Sequence, residues 1–212
     1  NLGKPHAGVA PVRGQNNVQG ACDMGVLPNM FPGYQSVTDE GIRQKFAQAW
    51  HIPVEKLDPQ VGYRITEVPH LAIEGKVKAY YIMGEDPLQT EADLGLVRKG
   101  FQALDFIVVQ DIFMTKTAEQ ADVILPSTSW GEHGGIFTCA DRGFQRFEQA
   151  VQARGNVKRD WEIISLLATA MGYPMSYTDN EEIWHEVRAL CPLFFGATYE
   201  KLAGLAHIQW PC

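Results

Sequence analysis

The residues best suited to chemistry fall into two groups. In the first, Arg13-Gly14-Gln15-Asn16-Asn17 gathers hydrogen-bond donors around one permanent positive charge. A guanidinium fork binds a carboxylate through two parallel N–H bonds, and Gly14 removes a side chain where a small anion could approach. The same Arg could equally be a surface cation paired with one of the 25 acidic residues. In the second group, polar residues follow three short apolar runs. Glu85, Asp86 and Thr90 come after Val77–Met83, Gln110 and Asp111 after Phe106–Val109, and Ser127, Thr128 and Ser129 after Val123–Leu125. In a parallel α/β sheet, ligands bind at the carboxyl ends of the strands. Gly84 lets backbone approach a ligand closely, and an acid at a strand tip can accept from ribose hydroxyls or a base edge. That outlines a nucleotide site, although the G-x-G-x-x-G and P-loop patterns are both absent. The competing reading is that Asp86 and Ser127 only cap helices and turns.

The elements that must position these residues follow from periodicity. A helix is predicted over Glu40–Trp50, with Ile42, Phe46 and Ala49 on one face and Thr38 or Asp39 as N-cap. A strand over Val77–Met83, a helix over Thr90–Phe101, a strand over Phe106–Val109, a single turn at Thr117–Gln120 and a strand over Val123–Leu125 follow. Short apolar strands with helical connections predict an α/β fold, a parallel sheet flanked by helices of the nucleotide-binding kind. Two helices close the chain: Asp160–Met171, and Ile183–Leu190 behind the capping box Asp179-x-x-Glu182. Residues 130–157 read as irregular. Residues 1–35 hold glycines 3, 8, 14, 20, 25 and 33 and prolines 5, 11, 28 and 32, so no long helix or central strand is expected there. That segment reads as a functional loop. The expected organisation is therefore a loop segment at 1–35, a nucleotide-binding α/β domain at 36–129, and an irregular and helical part at 130–212.

Composition narrows the function classes. With 45% hydrophobic residues, 20% charged residues and a net charge of −7, the chain can form a core. The acidic balance argues against broad binding to nucleic acid or an anionic membrane. No apolar run reaches the roughly 18 residues that span a bilayer. Cys22, Cys139, Cys191 and Cys212 include no C-x-x-C pair, so the usual zinc and iron–sulfur spacings are absent; the pattern fits a reducing compartment, the cytoplasm. The six histidines show no metal-ligand spacing, and no metal ligand is expected from this chain. The opening at Asn1 and the end at Trp210-Pro211-Cys212 both read as cuts inside a longer protein.

The stretch Pro11-Val12-Arg13-Gly14-Gln15-Asn16-Asn17-Val18-Gln19-Gly20-Ala21-Cys22-Asp23-Met24-Gly25 resembles the active-site segment of molybdenum- or tungsten-dependent formate dehydrogenases. So do Tyr81-Ile82-Met83-Gly84-Glu85-Asp86-Pro87, Val109-Gln110-Asp111-Ile112-Phe113 and Ala121-Asp122-Val123-Ile124-Leu125-Pro126, in family order. The first block is specific to these enzymes, most similar to the formate hydrogenlyase type; the others mark the wider molybdopterin oxidoreductase family. The resemblance covers essentially the whole chain. Cys139 departs from it, since relatives often carry Asn there.

The resemblance implies an enzyme that oxidises formate reversibly to carbon dioxide, with two molybdopterin guanine dinucleotides holding one Mo or W. It implies that Arg13 orients formate beside the metal and that Gln15 lies next to the pterin. Asp86, Thr90, Gln110, Asp111, Ser127 and Asp160 would hold the guanine nucleotide of one cofactor. Asp160 is also the natural cap of its helix. The ligands of a [4Fe–4S] cluster and of the metal would lie outside this chain, in the remaining domains of the catalytic subunit. An iron–sulfur subunit would accept the electrons, and the 212 residues alone would be inactive. The apolar Phe144, Phe147, Phe194 and Phe195 would pack against those domains and so stand exposed here. A binding module of another class, holding a guanine nucleotide without chemistry, is the alternative.

Overall fold

The computed structural model describes residues 3–5, 7–9 and 14–212. Arg13 lies outside them. In chain order the elements are α1 (Val18–Asp23), β1 (Met30–Phe31), β2 (Gln35–Ser36), α2 (Glu40–Ala49), α3 (Val68–Ile73), β3 (Ala79–Met83), α4 (Pro87–Thr90) and α5 (Leu94–Gln102). They continue with β4 (Phe106–Asp111), β5 (Val123–Pro126), β6 (Gly135–Thr138), β7 (Gly143–Phe147), α6 (Asp160–Ala170), α7 (Asn180–Leu190) and β8 (Ile208–Gln209). They form two compact units interleaved along the chain, and each draws on more than one of the segments expected from the sequence.

One unit comprises Tyr63–His133 and Gln149–Tyr177. Its centre is a parallel sheet of order β3-β4-β5, in the α/β arrangement expected. Ile82, Ile107 and Val109 project to one face and are buried beneath Val97 and Phe101 of α5 and Ala118. Burying side chains of this size contributes about 1.5–3 kcal/mol each. The helix expected over Thr90–Phe101 begins later, as α5 at Leu94, and Thr90 instead ends a separate short helix, α4. Pro87 opens α4, which ends at Thr90, and Asp93 accepts a hydrogen bond from the Leu96 N–H (2.9 Å) to start α5 afresh. Gly100 of α5 is required by packing, since a Cβ there would sit 2.6 Å from Pro69 Cα of α3.

The other unit holds the described residues up to Gly62, with Gly134–Glu148 and Thr178–Cys212. Residues 130–157, expected to be irregular, contain the antiparallel pair β6–β7, and β8 returns to pair with β7. The core is Phe144, Trp184, Phe194, Tyr199 and Leu202 around buried Cys191. Phe144 meets Trp184 and Phe194 edge to face at 5.0 and 5.1 Å. The expectation that Phe144 and Phe194 stand exposed is therefore overturned: both are fully buried, because α7 and the C-terminal strand fold back over them. Phe147 is half-buried and stacked on Phe137, while Phe195 does project into solvent.

Candidate cofactor site at the strand tips

A cavity of about 460 Å³ opens where β3, β4 and β5 end. Each strand delivers polar groups to it: Glu85, Asp86 and Thr90 after β3, Gln110 and Asp111 from β4, Ser127 and Thr128 after β5, with Asp160 from the start of α6. All six residues expected at a guanine nucleotide come together there. The chain turns at once after β3, where the Gly84 N–H donates to the Gln110 carbonyl (2.9 Å). Gly84 has φ of +64°, a backbone that favours glycine, and an added Cβ would meet nothing within 4 Å, so open space lies beside it.

Several of these side chains already have internal partners. Asp86 Oδ1 accepts from the Thr117 N–H (2.9 Å) and the Thr117 hydroxyl (2.6 Å), and Thr117 Oγ1 in turn accepts from the Leu88 N–H (3.1 Å). Thr117 is fully buried, so Asp86 fastens the 115–118 turn beneath the start of α4. Asp111 Oδ1 accepts from the Phe113 N–H (2.9 Å). Thr90 Oγ1 lies 2.6 Å from Glu85 Oε1 and 3.1 Å from the Asp86 carbonyl. Asp86 makes no side-chain cap bond to α4; its carboxylate instead holds the neighbouring turn through Thr117 while the residue lines the cavity.

The floor is a relay not legible in the sequence. Tyr81 donates its hydroxyl to Gln110 Oε1, and Gln110 Nε2 donates to Asp160 Oδ1 (2.6 Å). Gln110 is fully buried and held at both ends of its amide. Burial first, and the Asp160 carboxylate second, raise the Tyr81 phenol above its ordinary pKa, so it stays a donor at neutral pH. Parallel register brings Tyr81 opposite Val108, one pleat from Gln110 on the same face. Register was the signal that could have revealed it.

Among the described residues that line the cavity, one buried hydroxyl has no partner. Thr128 is 4% exposed, its N–H donates to the Lys158 carbonyl (3.0 Å), and its Oγ1 is buried without a hydrogen bond. A buried hydroxyl left unpaired costs about 1–3 kcal/mol, and this one belongs to a residue lining the cavity. An unpaired hydroxyl, acidic acceptors and open space beside Gly84 form a donor and acceptor set that fits a nucleotide.

Gln15 lies in the other unit, where Gly14–Gln19, Phe137–Ala140 and Gln145 line a separate cavity of about 300 Å³. Asn17 adopts φ of +60°, and its Oδ1 accepts from the Thr138 N–H (3.0 Å). A Cβ on Gly20 would sit 2.0 Å from that oxygen, so only glycine fits there. Cys139, where the family pattern often has Asn, donates its thiol to Gln145 Oε1 (2.7 Å). Burial and then Asp141 raise its pKa, which makes it a poor nucleophile. Beneath this segment Asp23 is fully buried and accepts from Gln19 Nε2 (2.8 Å), the Tyr34 hydroxyl (3.0 Å) and Trp210 Nε1 (3.0 Å). Among the described residues no three His, Cys, Asp or Glu side chains form a metal-binding group, and no helix is long and apolar enough to cross a membrane.

Comparison with known proteins gives this geometry a context. The molybdopterin oxidoreductase family model matches residues 1–170. Formate dehydrogenase H of Escherichia coli is 66% identical over all 212 residues, which make up 29% of that protein. The alpha subunit of an F420-dependent formate dehydrogenase of Methanococcus maripaludis is 45% identical over the whole chain and 31% of its own length. The chain thus spans about three-tenths of these curated relatives. Acetylene hydratase from Pelobacter acetylenicus shares the fold, with a TM-score of 0.60 and 20% identity over 82% of this chain and 24% of that one. Match and fold agree: the chain belongs to the molybdopterin oxidoreductase family.

Proposed function

We propose that the chain is the part of a formate dehydrogenase catalytic subunit that holds the guanine nucleotide of one molybdopterin guanine dinucleotide and supplies part of the formate-binding wall. The observation that carries this reading is the strand-tip cavity with its unpaired Thr128 hydroxyl. Identity of 66% along the entire chain to a formate dehydrogenase favours an enzyme over a binding module without chemistry. When bound, the metal–pterin group takes up the two electrons released as formate becomes carbon dioxide and a proton.

The chain's own residues would bind and orient. Asp111 and Asp160 offer carboxylate oxygens suited to ribose hydroxyls and to the N1–H and N2–H₂ donors of guanine. Ser127 and Thr128 offer hydroxyls, Thr90 stands at the end of α4, and Gln110 keeps Asp160 oriented. Asp86 supports the cavity through Thr117. Gln15 would border the pterin, and Arg13 would clamp the formate carboxylate and balance the charge that develops on it. The metal, Mo or W, and a [4Fe–4S] cluster would have their ligands in the remaining domains, and an iron–sulfur subunit would receive the electrons. The four cysteines are free, which supports a cytoplasmic setting.

The test uses the full-length protein. Thr128→Val and Asp111→Ala should each lower bound guanine nucleotide per polypeptide, while activity per metal in the loaded fraction falls less. Full nucleotide content in both variants would sink the assignment.

A further inference from the structure

The unit that holds the strand tips carries another cavity, of about 330 Å³, on the face of the sheet that α5 covers. Its floor is apolar: Phe101 of α5 and Ile107 of β4 are both buried, with Leu88 of α4 beside them. Its rim is polar, with Arg98 and Gln102 from α5 and Lys116, Glu119 and Gln120 from the turn before β5. Gln102 is four residues and Phe101 three residues beyond Arg98, so helical spacing sets all three side by side. The walls are fixed by the fold. Thr117 is fully buried and fastened to Asp86, its Oγ1 accepts from the Leu88 N–H, and Thr115 Oγ1 accepts from the Ala118 N–H (3.0 Å). That clasp separates the two cavities, since Asp86 and Thr115 line the one at the strand tips, and Leu88 and Lys116 line this one. Preformed cavities of roughly 300–1,000 Å³ with an apolar lining and a few polar groups are the common form of small-molecule sites.

Charge selects the ligand. The chain as a whole carries a net charge of −7, yet this rim holds the cations Arg98 and Lys116 against the single acid Glu119. Lys116 and Glu119 pair with each other at 3.2 Å. Arg98 forms no ion pair or hydrogen bond among the described residues. An unpaired guanidinium can hold a carboxylate through two parallel N–H bonds, and the adjoining Phe101 and Ile107 offer an apolar bed for a ring. We propose that this cavity binds a small aromatic carboxylate, with Arg98 holding the carboxylate, Phe101 and Ile107 the ring, and the Gln102 and Gln120 amides any polar substituent. The inference does not depend on the reading of the strand-tip cavity.

Ligand-observed saturation-transfer NMR on the full-length, cofactor-loaded protein tests this with benzoate as the probe. Benzoate should bind with a Kd of about 1 mM or tighter, and its neutral isostere benzamide about tenfold more weakly. Arg98→Gln should weaken benzoate binding about ten- to a hundredfold. Arg98→Lys keeps the charge without the fork and should weaken it less. Gln102→Glu should weaken it as well, because a carboxylate four residues on would engage Arg98 itself. Arg98 and Gln102 are exposed, so thermal midpoints and formate oxidation should stay at wild-type values in these variants. Undetectable benzoate binding, or equal binding by wild type and Arg98→Gln, would overturn the proposal. So would displacement of benzoate by excess formate, because the two would then share one site. Benzoate binding through Arg98 in a protein that fails to oxidise formate would sink the functional reading and leave this one standing.

Discussion

Thr117 hangs its backbone N–H and its hydroxyl on the same carboxylate oxygen of Asp86, at 2.9 and 2.6 Å. The site's acidic rim is thus built into the fold beneath it. Asp86→Ala should destabilise the full-length protein by about 2–4 kcal/mol, because two hydrogen bonds to a charged acceptor are lost and buried Thr117 is left unpaired. Asp86→Asn keeps an acceptor and should cost less than half as much. Thermal midpoints of the two variants decide the ordering; equal losses would mean that Thr117 does not depend on this oxygen.

Thr128→Val should act in opposite directions with and without cofactor. In cofactor-free protein it removes a buried hydroxyl that has no partner, so stability should stay level or rise by up to about 1 kcal/mol. In cofactor-supplied protein the same change should lower nucleotide occupancy. Paired melting curves with and without cofactor loading check the sign reversal.

Asp23→Ala should be severe. Gln19, Tyr34 and Trp210 each donate to this buried carboxylate, so Tyr34 and Trp210 lose their acceptor at once and Gln19 keeps only the Tyr34 hydroxyl. A loss above about 3 kcal/mol is expected, with a red shift in Trp210 fluorescence. Since α1 follows the Arg13–Asn17 segment directly, formate turnover should fall as well.

Alkaline pH should weaken the fold through two groups whose neutral forms it favours. Burial, then the Asp23 carboxylate, pushes the Tyr34 phenol from 10.0 up to about 12, and burial pushes the Cys191 thiol from 9.0 up to about 12. Each proton leaves the unfolded chain before the folded one, so unfolding is favoured as pH rises through the gap. Stability should hold below about pH 9 and decline from there toward pH 12. Cys191→Ala should remove the part of the slope that begins near pH 9. Tyr34→Phe should flatten the part between pH 10 and 12. A stability profile flat to pH 12 in the wild type would contradict both assignments.

Much of the strand-tip unit was legible in the sequence because its signals are local. Apolar runs such as Phe106–Val109 end in polar residues, and the cavity forms at those ends. The rest depended on distant pairings. Residues 130–157 read as irregular, yet Gly135 opens β6 and Gly143 opens β7, with Asp141 and Arg142 in the turn between them, where Arg142 takes φ of +70°. Phe144 and Phe194 looked like exposed interface residues because nothing near them in sequence shows that Trp184 and Trp210 return to cover them. Tyr81 and Thr117 escaped notice for the same reason: each acts through a partner about thirty residues away. Arg13 carries the most specific motif and lies outside the described residues, so its role rests on sequence.

The guanine nucleotide proposed for the strand-tip cavity is tested most directly by the guanine released per polypeptide from full-length protein. Gln110→Leu breaks the Tyr81–Gln110–Asp160 relay at its buried centre, whereas Arg13 is proposed to hold formate rather than the nucleotide. The expected result is a clear loss of guanine in Gln110→Leu and near wild-type guanine in Arg13→Ala, with formate turnover low in both. Wild-type guanine content in Gln110→Leu, or loss only in Arg13→Ala, would contradict the account.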